Sequence, residues 1–154
     1  MKKLTSKLGI DLGGTKIEGL LADKSGEHLK RIRVKTPDGS YGEILNAIAN
    51  LVSELATTPD LPVGIGIPGS ISPTSGRVRN SNILTLNRKL FAKDLEKKLG
   101  RPVRVANDAN CFTISESTDG AGKEAKSVFG VILGTGAVSY THLRAHEPVL
   151  DLVC

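Results

Sequence analysis

An acid, two glycines and a lysine follow one another between two apolar runs near the start of the chain. The segment Gly9–Lys16 reads Gly-Ile-Asp-Leu-Gly-Gly-Thr-Lys. Glycines at a strand-to-strand turn allow positive φ and close backbone approach, so several N–H groups can point at one anion. A carboxylate here can reach a hydrated Mg²⁺ ion. The segment predicts a phosphate site, with an ordinary Gly-Gly hairpin as the alternative, and its candidate residues are Asp11, Gly13, Gly14, Thr15 and Lys16.

A carboxylate at the end of a later apolar run is the second group that could do chemistry. Asp108 follows the strand-like run 103–106, and open α/β sheets place their ligands at the carboxyl ends of strands. A positioned carboxylate base contributes roughly 10²–10⁴-fold to a reaction rate. The alternative is that Asp108 or Asn107 caps a helix, a position that both residue types favour. Cys111 lies nearby, but no histidine is placed by sequence to activate it, which favours a buried thiol.

Periodicity predicts the elements that must position these residues. The capping box Ser40-Tyr-Gly-Glu43 opens a helix with an apolar stripe, and Gly100 stops a second helix. A structureless loop as long as 68–89 inside a compact domain is usually functional. The predicted strands are 7–12, 16–22, 28–35, 63–67, 103–106 and 127–133, and the predicted helices are 41–56, 90–99 and 108–117. This order predicts an α/β domain with a mixed sheet and flanking helices.

One glycine pattern in the chain is misleading. Gly64-Ile-Gly-Ile-Pro-Gly69 matches the dinucleotide pattern G-x-G-x-x-G and follows a predicted strand. Pro68 lies inside the pattern, Pro73 follows it, and no helix is predicted to open there. Because a pyrophosphate site needs that helix N-terminus, we do not expect a dinucleotide site.

Composition restricts the class of protein. The chain has 154 residues, of which 39% are hydrophobic and 3% aromatic, enough for one domain with an aliphatic core. The net charge is +5, but the lysines and arginines are scattered, which favours a solvated surface over a nucleic-acid site. The segment Met1-Lys-Lys-Leu-Thr contains no apolar signal region, so we expect no leader. Cys111 and Cys154 form no Cys-x-x-Cys pair. We expect a cytoplasmic protein with neither nucleic acid nor membrane as a partner.

Four motifs, in this order, resemble the amino-terminal half of the ROK family, which contains bacterial sugar kinases and sugar-responsive repressors. They are Gly9–Lys16, Gly66-Ile-Pro-Gly69, Ala106-Asn-Asp-Ala-Asn-Cys111 and Gly134-Thr-Gly136. The resemblance covers residues 8–136 and implies an actin-like (ribonuclease H-like) ATPase domain whose second domain is missing. We therefore assign residues 1–136 to this domain. Residues 137–154 do not continue the family pattern, and we interpret them as a non-native or artefactual tail.

The resemblance also implies roles for individual residues. In the family, the aspartate matching Asp108 takes the proton from the attacking sugar hydroxyl. Asn107, Gly69 and Asn82 would lie against the sugar, although a turn asparagine is the alternative for Asn82. The ATP phosphates would contact the first turn and also a second one, formed by Gly134, Thr135 and Gly136. Asp11 would hold Mg²⁺ through water, and structural zinc is expected only in the missing domain, because the zinc ligands are absent from this chain.

The implied function is ATP-dependent phosphorylation of a hexose, with sugar and ATP as partners. Fructokinases match best, through Ser70–Pro73, Asn80–Asn82, Lys93–Leu95 and Ser115–Glu116. An N-acetylglucosamine or glucose kinase of the family is one alternative. A sugar-responsive regulator is another, although its helix-turn-helix would precede Leu8, where only seven residues stand. The fragment alone is predicted to lack kinase activity, and the full-length parent could be a homodimer.

Overall fold

The computed structural model describes residues 6–133 and 137–143. A five-stranded mixed sheet forms its centre. Its strands are β1 (Ser6–Leu12), β2 (Lys16–Asp23), β3 (His28–Lys35), β4 (Val63–Ile67) and β7 (Val103–Asn107), in the spatial order β3-β2-β1-β4-β7. Strands β1, β2 and β3 pair antiparallel, whereas β4 lies parallel to both β1 and β7. The predicted mixed sheet is therefore confirmed, with strand ends within two residues of the predicted ones.

Three helices accompany the sheet: α1 (Tyr41–Leu55), α2 (Phe91–Leu99) and α3 (Asp108–Thr118). Helix α1 begins at the predicted capping box, in which the Ser40 hydroxyl accepts the Glu43 N–H and the Glu43 carboxylate accepts the Ser40 N–H. Helix α2 ends at Gly100, whose φ of 63° lies in the left-handed region that glycine tolerates best. No helix among the described residues is both long and apolar enough to cross a membrane.

The two faces of the sheet differ because side chains alternate along each strand. One face carries the apolar side chains that pack with α1 and α2 into the core, including Leu8, Ile10, Leu12, Ile17, Ile65 and Ile67. The opposite face carries Gly9, Asp11 and Gly66, and helix α3 lies over it. The candidate catalytic groups are thus separated from the aliphatic core by the sheet itself.

The segment 68–89 was predicted to be a structureless loop, and this is wrong. Ser70–Ile71 (β5) pairs antiparallel with Val78–Arg79 (β6), and Leu84–Leu86 forms a 3₁₀ turn. Val78 and Leu86 are buried in the core and anchor the segment. These elements are too short to give a periodic pattern, so the sequence did not predict them.

Two further strands form a separate sheet. The predicted strand at 127–133 is β8 (Ser127–Leu133), but it pairs with β9 (Ala137–Leu143) and not with the five-stranded sheet. Strand β9 was not predicted and lies within the segment interpreted as a tail. That interpretation concerns the origin of residues 137–154 and stays a prediction, and residues 144–154 lie outside the described part.

We expect Gly19→Ala to destabilise the fold. Gly19 is buried in β2 against α1, where a Cβ atom would overlap Leu55 Cδ1 and lie 3.1 Å from Ile10 Cδ1. Overpacking of this kind typically costs about 1–3 kcal/mol. Gly42→Ala is the matched control, because its Cβ would meet nothing closer than 3.8 Å and alanine favours a helix by up to about 1 kcal/mol. Urea denaturation of both variants measures the difference, and equal midpoints would contradict the packing account.

Candidate active site

The turn between β1 and β2 has the properties of an anion site. The N–H of Gly13 donates to the Lys16 carbonyl at 2.9 Å and closes the turn. The N–H groups of Gly14 and Thr15 donate to none of the described residues. A Cβ atom at Gly14 would meet nothing within 4 Å, so the space in front of this amide is open. The turn therefore presents unpaired donors to solvent, beside the ammonium group of Lys16.

The glycines of this turn do not have the backbone conformation that the sequence suggested. Neither Gly13 nor Gly14 is among the described glycines with positive φ, which are Gly26, Gly69, Gly76 and Gly100. Close packing favours glycine at position 13, because a Cβ atom on Gly13 would lie only 3.0 Å from the Lys16 carbonyl oxygen. The second glycine leaves its amide accessible.

The structure shows which of Asn107 and Asp108 caps helix α3, a question that the sequence left open. Asn107 is the N-cap of α3, and its Oδ1 accepts the Asn110 N–H at 3.1 Å. Asp108 is the first helical residue, and its Oδ1 accepts the Ala109 N–H at 2.8 Å. Its second carboxylate oxygen makes no hydrogen bond to a described residue. Because Asn107 caps the helix, the Asp108 carboxylate keeps an oxygen available to a substrate.

Asn107 also fixes the loop that begins at Gly69. Its Nδ2 donates to the Gly69 carbonyl at 2.6 Å. Gly69 has a φ of +99°, and a Cβ there would lie 2.7 Å from the Arg79 carbonyl oxygen and 2.9 Å from the Ser81 nitrogen. The glycine is thus required by close approach of its own chain. Contact of Gly69 with a sugar stays a prediction.

Asn82 lies next to a clamp that sequence reasoning missed. The Asn87 side chain accepts the Ser81 N–H at 3.0 Å and donates to the Ser81 carbonyl at 2.9 Å. Asn82 itself is exposed, and its side chain makes no hydrogen bond within the described residues. An asparagine that stabilises its own turn would show such a bond, and contact of Asn82 with a sugar stays a prediction.

Asp11 and Asp108 line one pocket of about 480 Å³ between the sheet and α3. Its other lining residues include Gly9, Glu18, Arg31, Gly66, Phe112 and Ile132. Partial burial raises the pKa of Asp11, and the negative charges of Asp108 and Glu18 raise it further, while Lys16 opposes them. The structure therefore brings Asp11, the predicted metal ligand, and Asp108, the predicted base, close enough for their charges to interact.

A row of charges crosses the sheet beside this pair. Asp11 stands opposite Glu18, which in turn stands opposite Arg33. The Arg33 Nε donates to Glu18 at 2.6 Å, and the Arg31 Nε lies 3.5 Å from its other oxygen. The hydrogen bond from Arg33 and the charges of both arginines lower the pKa of Glu18. Sequence reasoning missed this row because it depends on the pairing register of three strands.

Three other sequence predictions concern the dinucleotide pattern, Cys111 and the second phosphate turn. Strand β5 and not a helix follows Gly69, so the helix N-terminus that the dinucleotide pattern needs is not found at this position. Cys111 is buried, but it is not a free thiol in the structure, which corrects that part of the sequence interpretation. The second predicted phosphate turn, Gly134 to Gly136, lies outside the described residues.

Comparison with known proteins identifies the family. The model of the ROK family matches residues 7–138. The chain belongs to the ROK family. Among its relatives are N-acetyl-D-glucosamine kinases of Pasteurella multocida (strain Pm70), 43% identical over 132 residues, and of Vibrio cholerae serotype O1 (strain ATCC 39315 / El Tor Inaba N16961), 44% identical over 130 residues. These alignments cover 84% and 83% of this chain but 43% of each relative.

Solved structures of ROK kinases share the fold. A ROK glucokinase from Streptomyces griseus, solved in complex with glucose and AMPPNP, has a TM-score of 0.79 and 30% identity. The inorganic polyphosphate/ATP-glucomannokinase from Arthrobacter sp. strain KM has a TM-score of 0.77 and 37% identity. Each comparison covers 90% of this chain. It covers 44% of the Streptomyces griseus chain and 58% of the Arthrobacter chain. These neighbours support the predicted actin-like ATPase fold, of which this chain is a part.

The charge on Asp11 should make stability depend on pH. Because the folded state raises the pKa of Asp11 above its ordinary value of 3.8, ionisation of this group opposes folding. The penalty is complete above the raised pKa and disappears as the pH falls toward 3.8. Asp11→Asn removes it, so we expect a higher melting temperature than wild type at pH 7 and a smaller gain at lower pH. Thermal unfolding from pH 7 to pH 4 measures this.

The matched control is Asp60→Asn, which removes one negative charge at an exposed turn position away from the pocket. It should not reproduce the pH-dependent gain. An equal gain in both variants would mean that net charge, and not the pocket, is responsible.

Proposed function

We propose that the full-length protein containing this chain transfers the γ-phosphoryl group of ATP to a hydroxyl of a hexose. The supporting observation is the pocket in which Asp11 and Asp108 interact, next to a turn with unpaired amide donors. Amide donors and a lysine suit the phosphates of ATP. A carboxylate with an available oxygen suits a sugar hydroxyl that must lose its proton. The chain spans 43% of the length of its curated relatives, so this activity belongs to the whole protein.

Asp108 is the proposed general base. As the sugar oxygen bonds to the γ-phosphorus, its proton moves to the free carboxylate oxygen of Asp108, and the bond from phosphorus to the leaving oxygen of ADP breaks. Asn107 holds the sugar edge of the site, because one of its amide hydrogens and one lone pair remain unused by its two hydrogen bonds. The unused carboxylate oxygen favours a kinase over a regulator that binds sugar without phosphorylating it.

The residues fit a Mg²⁺ ion held through water. Burial raises the pKa of Asp11, and the negative charges of Asp108 and Glu18 raise it further, so a nearby cation would favour the ionised carboxylate. The described residues contain no group of three or more histidine, cysteine or acidic side chains that could form a metal cage. Mg²⁺ is typically bound by one or two carboxylates, waters and substrate phosphates. When bound, it would neutralise charge on the transferring phosphoryl group, and Asp11 would orient its water ligands.

Two hexoses are the main candidates for the substrate. N-acetyl-D-glucosamine is supported by the relatives at 43% and 44% identity, and fructose by the motifs Ser70–Pro73 and Asn80–Asn82. The motifs lie in the loop that the Asn107 and Asn87 side chains hold in place, where a sugar would bind.

We expect the full-length enzyme to phosphorylate N-acetyl-D-glucosamine with the highest kcat/KM in a panel that also contains fructose, glucose and mannose. The reason is that the relatives at 43% and 44% identity are N-acetyl-D-glucosamine kinases. A coupled assay for ADP release measures all four sugars under identical conditions. A kcat/KM that is highest for fructose would instead support the motif-based prediction of a fructokinase, and no turnover with any sugar would contradict the proposed function.

Asp108→Asn in the full-length enzyme should lower kcat by about 10²-fold or more, because asparagine cannot accept the proton. The melting temperature should change little, since the N-cap Asn107 is intact and the new amide oxygen can still accept the Ala109 N–H. Sugar affinity should change much less than turnover. Steady-state kinetics, calorimetric sugar titration and thermal unfolding give the three quantities.

Asp119→Asn is the control for this variant, because it removes the same charge at the exposed C-terminal end of the same helix. It should retain wild-type turnover. If Asp108→Asn also kept near-normal turnover, Asp108 would not be the base, and the proposed chemistry would lose its central residue.

A further inference from the structure

Thr36 lies just after β3 and has two contacts with the turn between β1 and β2. Its hydroxyl donates to the Gly13 carbonyl at 2.7 Å. Its N–H donates to the Thr15 carbonyl at 3.0 Å. The residue is only 2% exposed, although most threonines lie at the surface. A buried hydroxyl needs a hydrogen-bond partner, and here the partner is a carbonyl of the candidate phosphate turn.

The hydrogen bond to Gly13 sets the direction of an amide group. The carbonyl of Gly13 and the N–H of Gly14 belong to one peptide group, which is planar and trans, so they point in opposite directions. Because the carbonyl points at the buried Thr36 hydroxyl, the Gly14 N–H must point away from it. This is the amide that donates to no described residue and has open space in front of it.

We infer that Thr36 is a positioning residue for the phosphates of the nucleotide: its hydroxyl fixes the Gly13–Gly14 peptide so that the Gly14 N–H faces the ligand. The inference rests on the proposed function, since it takes the turn as the ATP phosphate site. The peptide group between Gly13 and Gly14 can rotate easily, because glycine on each side imposes few steric restrictions on the backbone. The turn therefore depends on a contact from another strand for its orientation. The Thr15 carbonyl, bound by the Thr36 amide, anchors the other side of the turn.

The test replaces the hydroxyl without changing the shape of the side chain. Thr36→Val in the full-length enzyme removes the donor and keeps the β-branched volume, whereas Thr36→Ser keeps the donor. Calorimetry measures the dissociation constants of AMPPNP with Mg²⁺, of adenosine, which carries no phosphate, and of the sugar alone. Thermal unfolding and steady-state kinetics are recorded for the same samples.

We expect Thr36→Val to weaken AMPPNP binding about tenfold, the effect of losing roughly one well-placed hydrogen bond. The dissociation constants of adenosine and of the sugar should stay within about twofold of wild type. Thr36→Ser should bind AMPPNP like wild type. A residue with only a structural role would lower the melting temperature or weaken all three ligands together, and it would not separate AMPPNP from adenosine.

Two results would overturn the inference. One is a folded Thr36→Val variant that binds AMPPNP within about twofold of wild type. The other, which applies even if Thr36→Val does not fold, is a Thr36→Ser variant of normal melting temperature whose AMPPNP binding is weakened while its hydroxyl is retained. The wild-type control tests the proposed function separately: an enzyme that binds AMPPNP but phosphorylates no hexose would refute the activity and leave the role of Thr36 measurable.

Discussion

The candidate site depends on the hydrogen bonds of one side chain, Asn107. Its Oδ1 caps helix α3, and its Nδ2 donates to the Gly69 carbonyl. The end of β7, the start of α3 and the loop that begins at Gly69 are therefore joined by one side-chain amide. One oxygen of Asp108 already accepts the Ala109 N–H. Without the cap, Asp108 would also be the nearest side chain able to take the remaining terminal N–H groups of α3. Its carboxylate would then be engaged in structure. The cap at Asn107 is what leaves a carboxylate oxygen available for chemistry.

The glycine-bearing face of the sheet is the second constraint. Gly66 faces the start of α3, and a Cβ there would already lie 3.6 Å from the Asp108 Cα and 3.9 Å from its Cβ. A larger side chain at this position would push α3 away from β4. Helix α3 can therefore approach closely enough for Asp108 to influence the pKa of Asp11 on β1. The opposite face has no such requirement and is filled with aliphatic side chains that pack on α1 and α2.

Most of the fold could be predicted from the sequence, but less of the site. Strong local signals gave the elements: the capping box at Ser40, the stop at Gly100 and the apolar run 63–67 each have one structural meaning. Thr36 and Glu18 were missed because their roles arise from contacts far apart in sequence, such as the 23 positions between Thr36 and Gly13. Asn87 was missed because its bonds to Ser81 lie in an irregular segment that has no periodic pattern. The pairing of β8 with β9 is local in sequence, and it was missed because residues 137–154 were interpreted as a non-native tail.

Some of the acidic charges in the pocket are neutralised by the protein and others are not. The negative charges of Asp108 and Glu18 both act on Asp11, and like charges in a partly buried pocket oppose folding. Two arginines already neutralise Glu18, so the uncompensated charge is confined to Asp11 and Asp108. Lys16 offsets it only in part. The remaining negative potential, next to unpaired amide donors, suits a metal ion bound together with its phosphate ligands better than either a bare anion or a bare cation.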